Sequence, residues 1–131
     1  LIVAEKPNII IGYNIFGFDY EFMFRRSQET YCEREFLMLS MNADELCANE
    51  DKNTGKLSLG NTKVSLASGE YDLWYPVISG VLQIDLYSYF RRDYNLSSYK
   101  LDDVAGNFIS DDIVKIQVDE ETKPRSYTQK I

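Results

Sequence analysis

Hydrophobic positions fall into short runs separated by polar stretches, and the runs differ in period. Residues 8–13 hold three consecutive isoleucines, Ile9, Ile10 and Ile11, just after Pro7. A β-branched run of this length predicts a strand buried on both faces, as at the centre of an α/β sheet. Residues 1–6 read as the last turn of a helix, stopped by Pro7. Residues 14–18 form a tight connection, and from Asp19 the pattern turns helical. Asp19 is placed to cap that helix, and Tyr20, Met23, Phe24 and Ser27 share one face. Residues 42–56 are polar and acidic, with Asn53-Thr54-Gly55 as a turn signal, and read as a surface loop. Leu57, Leu59, Val64 and Leu66 alternate around Gly60-Asn61, which predicts a hairpin over residues 57–67 turning at 59–62. Ser68-Gly69 turns again, and residues 70–78 supply a further extended segment. Residues 81–84 predict a second buried strand. Asp85 is placed to cap a helix with the stripe Leu86, Tyr89, Phe90 and Tyr94. Ser98 is placed to cap a third helix, striped by Leu101, Val104, Ala105 and Phe108, with Asp102 and Asp103 in its first turn. The order is strand, helix, hairpin insert, strand, helix, helix: an α/β or α+β domain.

Composition narrows the chemistry. The 131 residues are 44% hydrophobic and 27% charged, the mixture of an ordinary globular domain. No apolar run approaches the roughly 20 residues of a membrane helix. The chain has no histidine, and its two cysteines, Cys32 and Cys47, do not form a CxxC pair. Ser-His and Cys-His nucleophiles are therefore excluded, and so is a Cys/His zinc site. Any hydrolysis would rest on carboxylates and a metal. The net charge of −7 argues against a free-standing nucleic-acid-binding module, which is usually basic. The chain starts at Leu1 and stops in a polar stretch, so both ends read as cut.

One junction draws attention. Asp19 stands where a buried strand passes through a turn into a helix, and open α/β sheets bind ligands at that edge. Tyr13, Asn14, Phe16, Phe18 and Tyr20 crowd it. Aromatic rings beside a carboxylate suit a nucleotide whose base stacks while a metal works on its phosphate. The same residues also suit a helix cap and an aromatic core.

The segment Asn8-Ile9-Ile10-Ile11-Gly12-Tyr13-Asn14-Ile15-Phe16-Gly17-Phe18-Asp19 resembles the second exonuclease motif of family B DNA polymerases. A second block resembles the family's segment downstream of that motif: Gly80 to Leu86, then Arg92-Asp93-Tyr94-Asn95-Leu96, then Ser98-Tyr99-Lys100-Leu101 and Val104. Val81 stands where the family usually has arginine, so no phosphate contact is assigned there. Both blocks look most like the polymerases of large DNA viruses.

The resemblance implies a ribonuclease-H-like (DEDD exonuclease) mixed sheet with flanking helices and a β-hairpin insert, incomplete in this chain. Residues 7–28 would be the motif and its helix, 41–79 the loop and hairpin insert, and 80–110 the downstream strand and helices. It implies a DNA-directed DNA polymerase whose proofreading part removes mispaired 3′ ends. Two Mg²⁺ or Mn²⁺ ions would be held by four carboxylates, of which Asp19 matches one. Asn14 and Phe18 match positions near the single-stranded 3′ end. The other carboxylates would lie outside this chain, which alone would be inactive. Implied partners are DNA, deoxynucleotides and a processivity clamp, at an intracellular site, nuclear or viral. Two alternatives stand beside this one: a stand-alone DEDD exonuclease, and a degenerate nuclease fold serving as a binding module. Asp85 reads as a cap or supporting residue. Asp111-Asp112 and Asp119-Glu120-Glu121 read as solvated surface, and Arg25-Arg26, Arg91-Arg92 and Lys100 as helix surface.

Overall fold

A computed structural model describes residues 1–109. The acidic segment expected to be solvated surface beyond Ser110 lies outside them. The chain divides into two compact units, Leu1–Tyr99 and Lys100–Ile131.

The first unit opens with a short helix, α1 (Ile2–Glu5), closed by Lys6 in the left-handed conformation before Pro7. Strand β1 (Ile9–Gly12) pairs in parallel with β6 (Leu82–Asp85), in the register Ile9↔Leu82 to Gly12↔Asp85. Between them run a π-helical turn (Ile15–Asp19), helix α2 (Tyr20–Glu29), a short α3 (Glu33–Phe36), strands β2 (Asn49–Glu50), β3 (Leu57–Ser58), β4 (Gly60–Leu66) and β5 (Gly69–Tyr75). Helix α4 (Leu86–Asp93) follows β6 directly. In the second unit, α5 (Leu101–Phe108) carries Asp102 and Asp103 in its first turn, where negative charge suits the helix dipole.

The mixed α/β character expected from the sequence holds, but several local expectations do not. The isoleucine strand is not buried on both faces: Ile9 and Ile11 are 50% and 58% exposed, and their neighbour Leu82 is 57% exposed. Among the described residues its sheet has two strands, and nothing covers the face these three side chains share. Asp19 is not a helix cap. It has αR dihedrals and makes no capping hydrogen bond, because the coil begins one turn earlier, at Ile15. Tyr20 and Ser27 are buried on α2 as expected, whereas Met23 is 42% exposed. Ser98 does not cap α5, whose N-cap is Lys100 without a side-chain bond.

The hairpin is also displaced. Its strands are β4 and β5, paired from Gly60↔Tyr75 to Leu66↔Gly69, so the turn is the two residues Ala67 and Ser68. Gly60 is a packing position: a Cβ there would lie 2.6 Å from the Tyr75 ring. Alternating apolar residues on both sides of a glycine mimic a hairpin when the glycine instead makes room for a ring across the ladder.

The segment expected as a surface loop is tied in at both ends. Cys47 is fully buried; its N–H donates to the Leu37 carbonyl and its carbonyl accepts from Val77, both at 2.9 Å. Asn49–Glu50 pair with Leu57–Ser58. The Glu45 carboxylate accepts from Ser40 Oγ at 2.6 Å, Asn42 Nδ2 at 2.7 Å and Ser79 Oγ at 2.7 Å, which lowers its pKa. The core beneath is Tyr20, Leu37, Leu57 and Leu59, with Phe16, Phe24, Trp74 and Tyr75 packed against it. Burial raises the Cys47 thiol pKa, whereas Cys32 is exposed. A thiol-reactive probe is therefore expected to label Cys32 in the native protein and Cys47 only on unfolding. Peptide mapping reads this directly, and equal labelling of the two would contradict the packing around Cys47.

Candidate nuclease site

The site is built at the C-terminal end of the parallel pair. Asn14, the residue that leaves β1's edge, takes the left-handed conformation (φ 60°, ψ 25°). Asparagine tolerates that region better than other side chains with a Cβ. The chain then coils through the π turn, entered by a bond from Phe18 N–H to the Asn14 carbonyl at 3.0 Å and closed by one from Tyr20 N–H to the Ile15 carbonyl.

Asp85 holds this turn. It ends β6 opposite Gly12 and is 5% exposed. Its Oδ1 accepts from Asn14 N–H at 2.7 Å and from Tyr87 N–H at 3.0 Å, and its Oδ2 accepts from Phe16 N–H at 2.9 Å. One buried carboxylate thus caps α4 and also satisfies two amides of the turn after β1. Three charge-assisted bonds to backbone amides offset its desolvation. The cap expected of Asp85 is present; its reach across to Asn14 and Phe16 is not legible in the sequence, since only the parallel register brings those amides to it.

Tyr13 makes a second tie. Its hydroxyl donates to the Tyr99 carbonyl, and its ring meets that of Tyr87 edge-on at 5.6 Å. Burial, then the charges of Tyr87 and Asp85, raises the Tyr13 pKa, so the phenol remains a proton donor. Tyr99 in turn donates to the Tyr94 carbonyl at 2.7 Å and accepts from Leu96 N–H at 3.2 Å. The two sequence blocks that carry the resemblance are therefore bonded to each other around one turn.

The expected site residues cluster on this turn but differ in their surroundings. Asp19 is partly exposed, and no hydrogen bond or ion pair reaches its carboxylate among the described residues. Phe18 is 57% exposed, so it is not core; its ring stacks on Phe22, 54% exposed, at 5.6 Å. The Asn14 side chain lies over Gly17, where a Cβ would come within 2.4 Å of its Oδ1. Gly17→Ala is expected to displace the asparagine amide at little cost in stability, because the obstructing atom ends a flexible side chain. The melting temperature should be unchanged; if Asn14 grips a single-stranded 3′ end, as the family resemblance implies, the full-length protein should bind such ends about tenfold more weakly, which fluorescence anisotropy reads, and unaltered binding would sink that implied role.

Among the described residues no three His, Cys, Asp or Glu side chains gather to hold a metal ion. Asp19 offers one unencumbered carboxylate, a fit for one ligand but not for a whole site. Of the arginine pairs, Arg25, Arg26 and Arg92 are exposed and ion-paired with Glu21, Glu29 and Asp93. Arg91 departs from the surface expectation: its guanidinium sits 4.7–5.3 Å from the ring centres of Tyr71, Tyr87 and Tyr99.

Residues 1–104 match the model of the DNA polymerase family B exonuclease domain. The chain belongs to that family. It is 46% identical over its whole length to the DNA polymerase of Phaeocystis pouchetii virus, covering 13% of that protein. It is 40% identical over 84% of its length to the DNA polymerase of Pyramimonas orientalis virus, covering 8%. The DNA polymerase delta catalytic subunit of Arabidopsis thaliana shares 33% over 85% of the chain, covering 9%. The chain thus spans about an eighth or less of these family B relatives, and the likeness to polymerases of large DNA viruses holds over its full length. No helix among the described residues is long and apolar enough to cross a membrane.

Proposed function

We propose that this family B segment supplies one acidic motif of a 3′→5′ proofreading exonuclease in a DNA-directed DNA polymerase. The observation that carries the reading is Asp19: a partly exposed carboxylate with no protein partner among the described residues, on a turn locked by Asp85, beside exposed Phe18. A carboxylate left without a partner while its neighbour takes three amides is free to serve a ligand. Mg²⁺ or Mn²⁺, when bound, supplies Lewis acidity at the scissile phosphate. Asp19 would hold such an ion together with carboxylates from the rest of the polymerase. Asn14 would hydrogen-bond the terminal nucleotide, and Phe18 would pack its base or sugar.

In this reading the fold is ribonuclease-H-like, residues 7–28 form the motif and its helix, 41–79 the insert and 80–110 the downstream strand and helices. The open face of Ile9, Ile11 and Leu82 takes a helical layer from the rest of the domain, since parallel strands are normally covered on both sides by helices. The parent polymerase acts on primer-template DNA and deoxynucleotides, with a processivity clamp, inside the infected or replicating cell. The isolated segment, with one of the four metal-holding carboxylates, degrades no DNA. The test is Asp19→Ala in the full-length polymerase, scored separately for exonuclease and polymerase activity.

A further inference from the structure

A cleft of about 370 Å³ opens between the β4–β5 hairpin and α4. Its hairpin wall is Val64, Leu66, Tyr71 and Leu73; its opposite wall includes Tyr87, Ser88, Tyr89 and Arg91. Asn14 and Gly17 reach it from the turn, whereas Phe18 and Asp19 do not line it. The volume falls in the range of small-molecule sites, and beside the apolar and aromatic walls the lining carries polar side chains, Gln83, Asp85 and Arg92 among them.

Arg91 gives the cleft its chemistry. The residue is half-buried, and no acidic side chain pairs with it among the described residues. Nη1 donates to Tyr87 Oη at 2.7 Å, and three tyrosine rings surround the guanidinium. The rings orient the fork but leave its charge uncompensated, and a guanidinium is the side chain best matched to a phosphate. Neighbouring Arg92 is already neutralised by Asp93, at 2.8 Å. Asp72 also lines the cleft. One open cation with two carboxylates nearby, Asp72 and the amide-bonded Asp85, suits a single phosphate and disfavours a triphosphate.

We propose that this cleft binds one nucleoside monophosphate unit, its base between the apolar hairpin wall and α4 and its phosphate on Arg91. The inference rests on the nuclease reading for the choice of a nucleotide. The unit has two sources: an unpaired nucleotide of the strand, or the free monophosphate that hydrolysis releases.

The experiment uses the full-length polymerase carrying Asp19→Ala, which keeps the probe intact. A single-stranded oligothymidylate with one 5-iododeoxyuridine is photocrosslinked to it, and the modified peptides are mapped. Crosslinks are expected within residues 64–73 and 87–91. They should fall about tenfold with Val64→Trp, which fills the cleft, and with Arg91→Gln, at unchanged polymerase activity. Free thymidine monophosphate that competes for these crosslinks adds the released product as a ligand; failure to compete leaves the strand alone as the source. Thymidine triphosphate should compete less well than the monophosphate whenever the monophosphate competes. Crosslinks absent from both segments, or undiminished by Val64→Trp, overturn the cleft. Neither result touches the nuclease reading, which fails separately if Asp19→Ala retains exonuclease activity.

Discussion

In the full-length polymerase, Asp19→Ala is expected to slow removal of single-stranded 3′ ends by on the order of a thousandfold, about 4 kcal/mol of barrier, with nucleotide incorporation unchanged. The separation of the two activities comes from where Asp19 stands. Its side chain holds no element together: it caps nothing and no hydrogen bond or ion pair reaches it among the described residues. Removing it therefore leaves the turn in place while withdrawing a ligand. Asp19→Asn, which keeps the shape and loses the charge, should be nearly as defective. Single-turnover hydrolysis of a 5′-labelled strand and running-start primer extension read the two activities side by side. An Asp19→Ala polymerase that degrades single strands at the wild-type rate would leave this segment as a degenerate nuclease fold, one of the alternatives open from the sequence.

Asp85→Ala should have the opposite signature, a structural collapse of the turn that costs on the order of 3–5 kcal/mol. The carboxylate accepts from three amides at 2.7, 2.9 and 3.0 Å in a nearly water-free position. Alanine leaves all three without an acceptor and removes the α4 cap, itself about 1 kcal/mol. Hydrogen exchange measured by mass spectrometry should show the amides of residues 14–19 losing protection together with those of the first turn of α4. The two aspartates thus differ in kind: one is consumed by the fold, the other is spare. If Asp85→Ala leaves exchange at residues 14–19 unaltered, the joint between β6 and the turn is not what holds the site.

How much of this is legible in the sequence depends on the range of the interaction. The two strands, the helices after them and the Asp85 cap rest on local pattern, and all are present. The hairpin turn falls elsewhere than the alternation predicts because Gly60 is small for the sake of Tyr75, fifteen positions away across the ladder, a pairing that local alternation does not encode. Asp19 has the residue type and position of a helix cap; a π turn that starts the coil at Ile15 leaves no recognisable signature in residue type. The three rings around Arg91 come from β5, from α4 and from Tyr99, so only the fold assembles them. Residue identity, through the family resemblance, singles out Asn14, Phe18 and Asp19. Residue type lets Asn14 adopt the left-handed conformation, and the bond from its N–H to Asp85 holds it there.

The parallel pairing of β1 with β6 also sets an order of events as the chain is made. Ile9 and Leu82 are 73 residues apart, and closing so long a loop carries an entropic cost that only the finished pairing repays. The hairpin between them, closed by two residues, has no such delay. On a ribosome, the stretch around Asp19 must therefore wait for Asp85 to emerge and fold back before it takes its shape. A nascent chain that stops short of β6 carries every letter of the motif and none of its geometry.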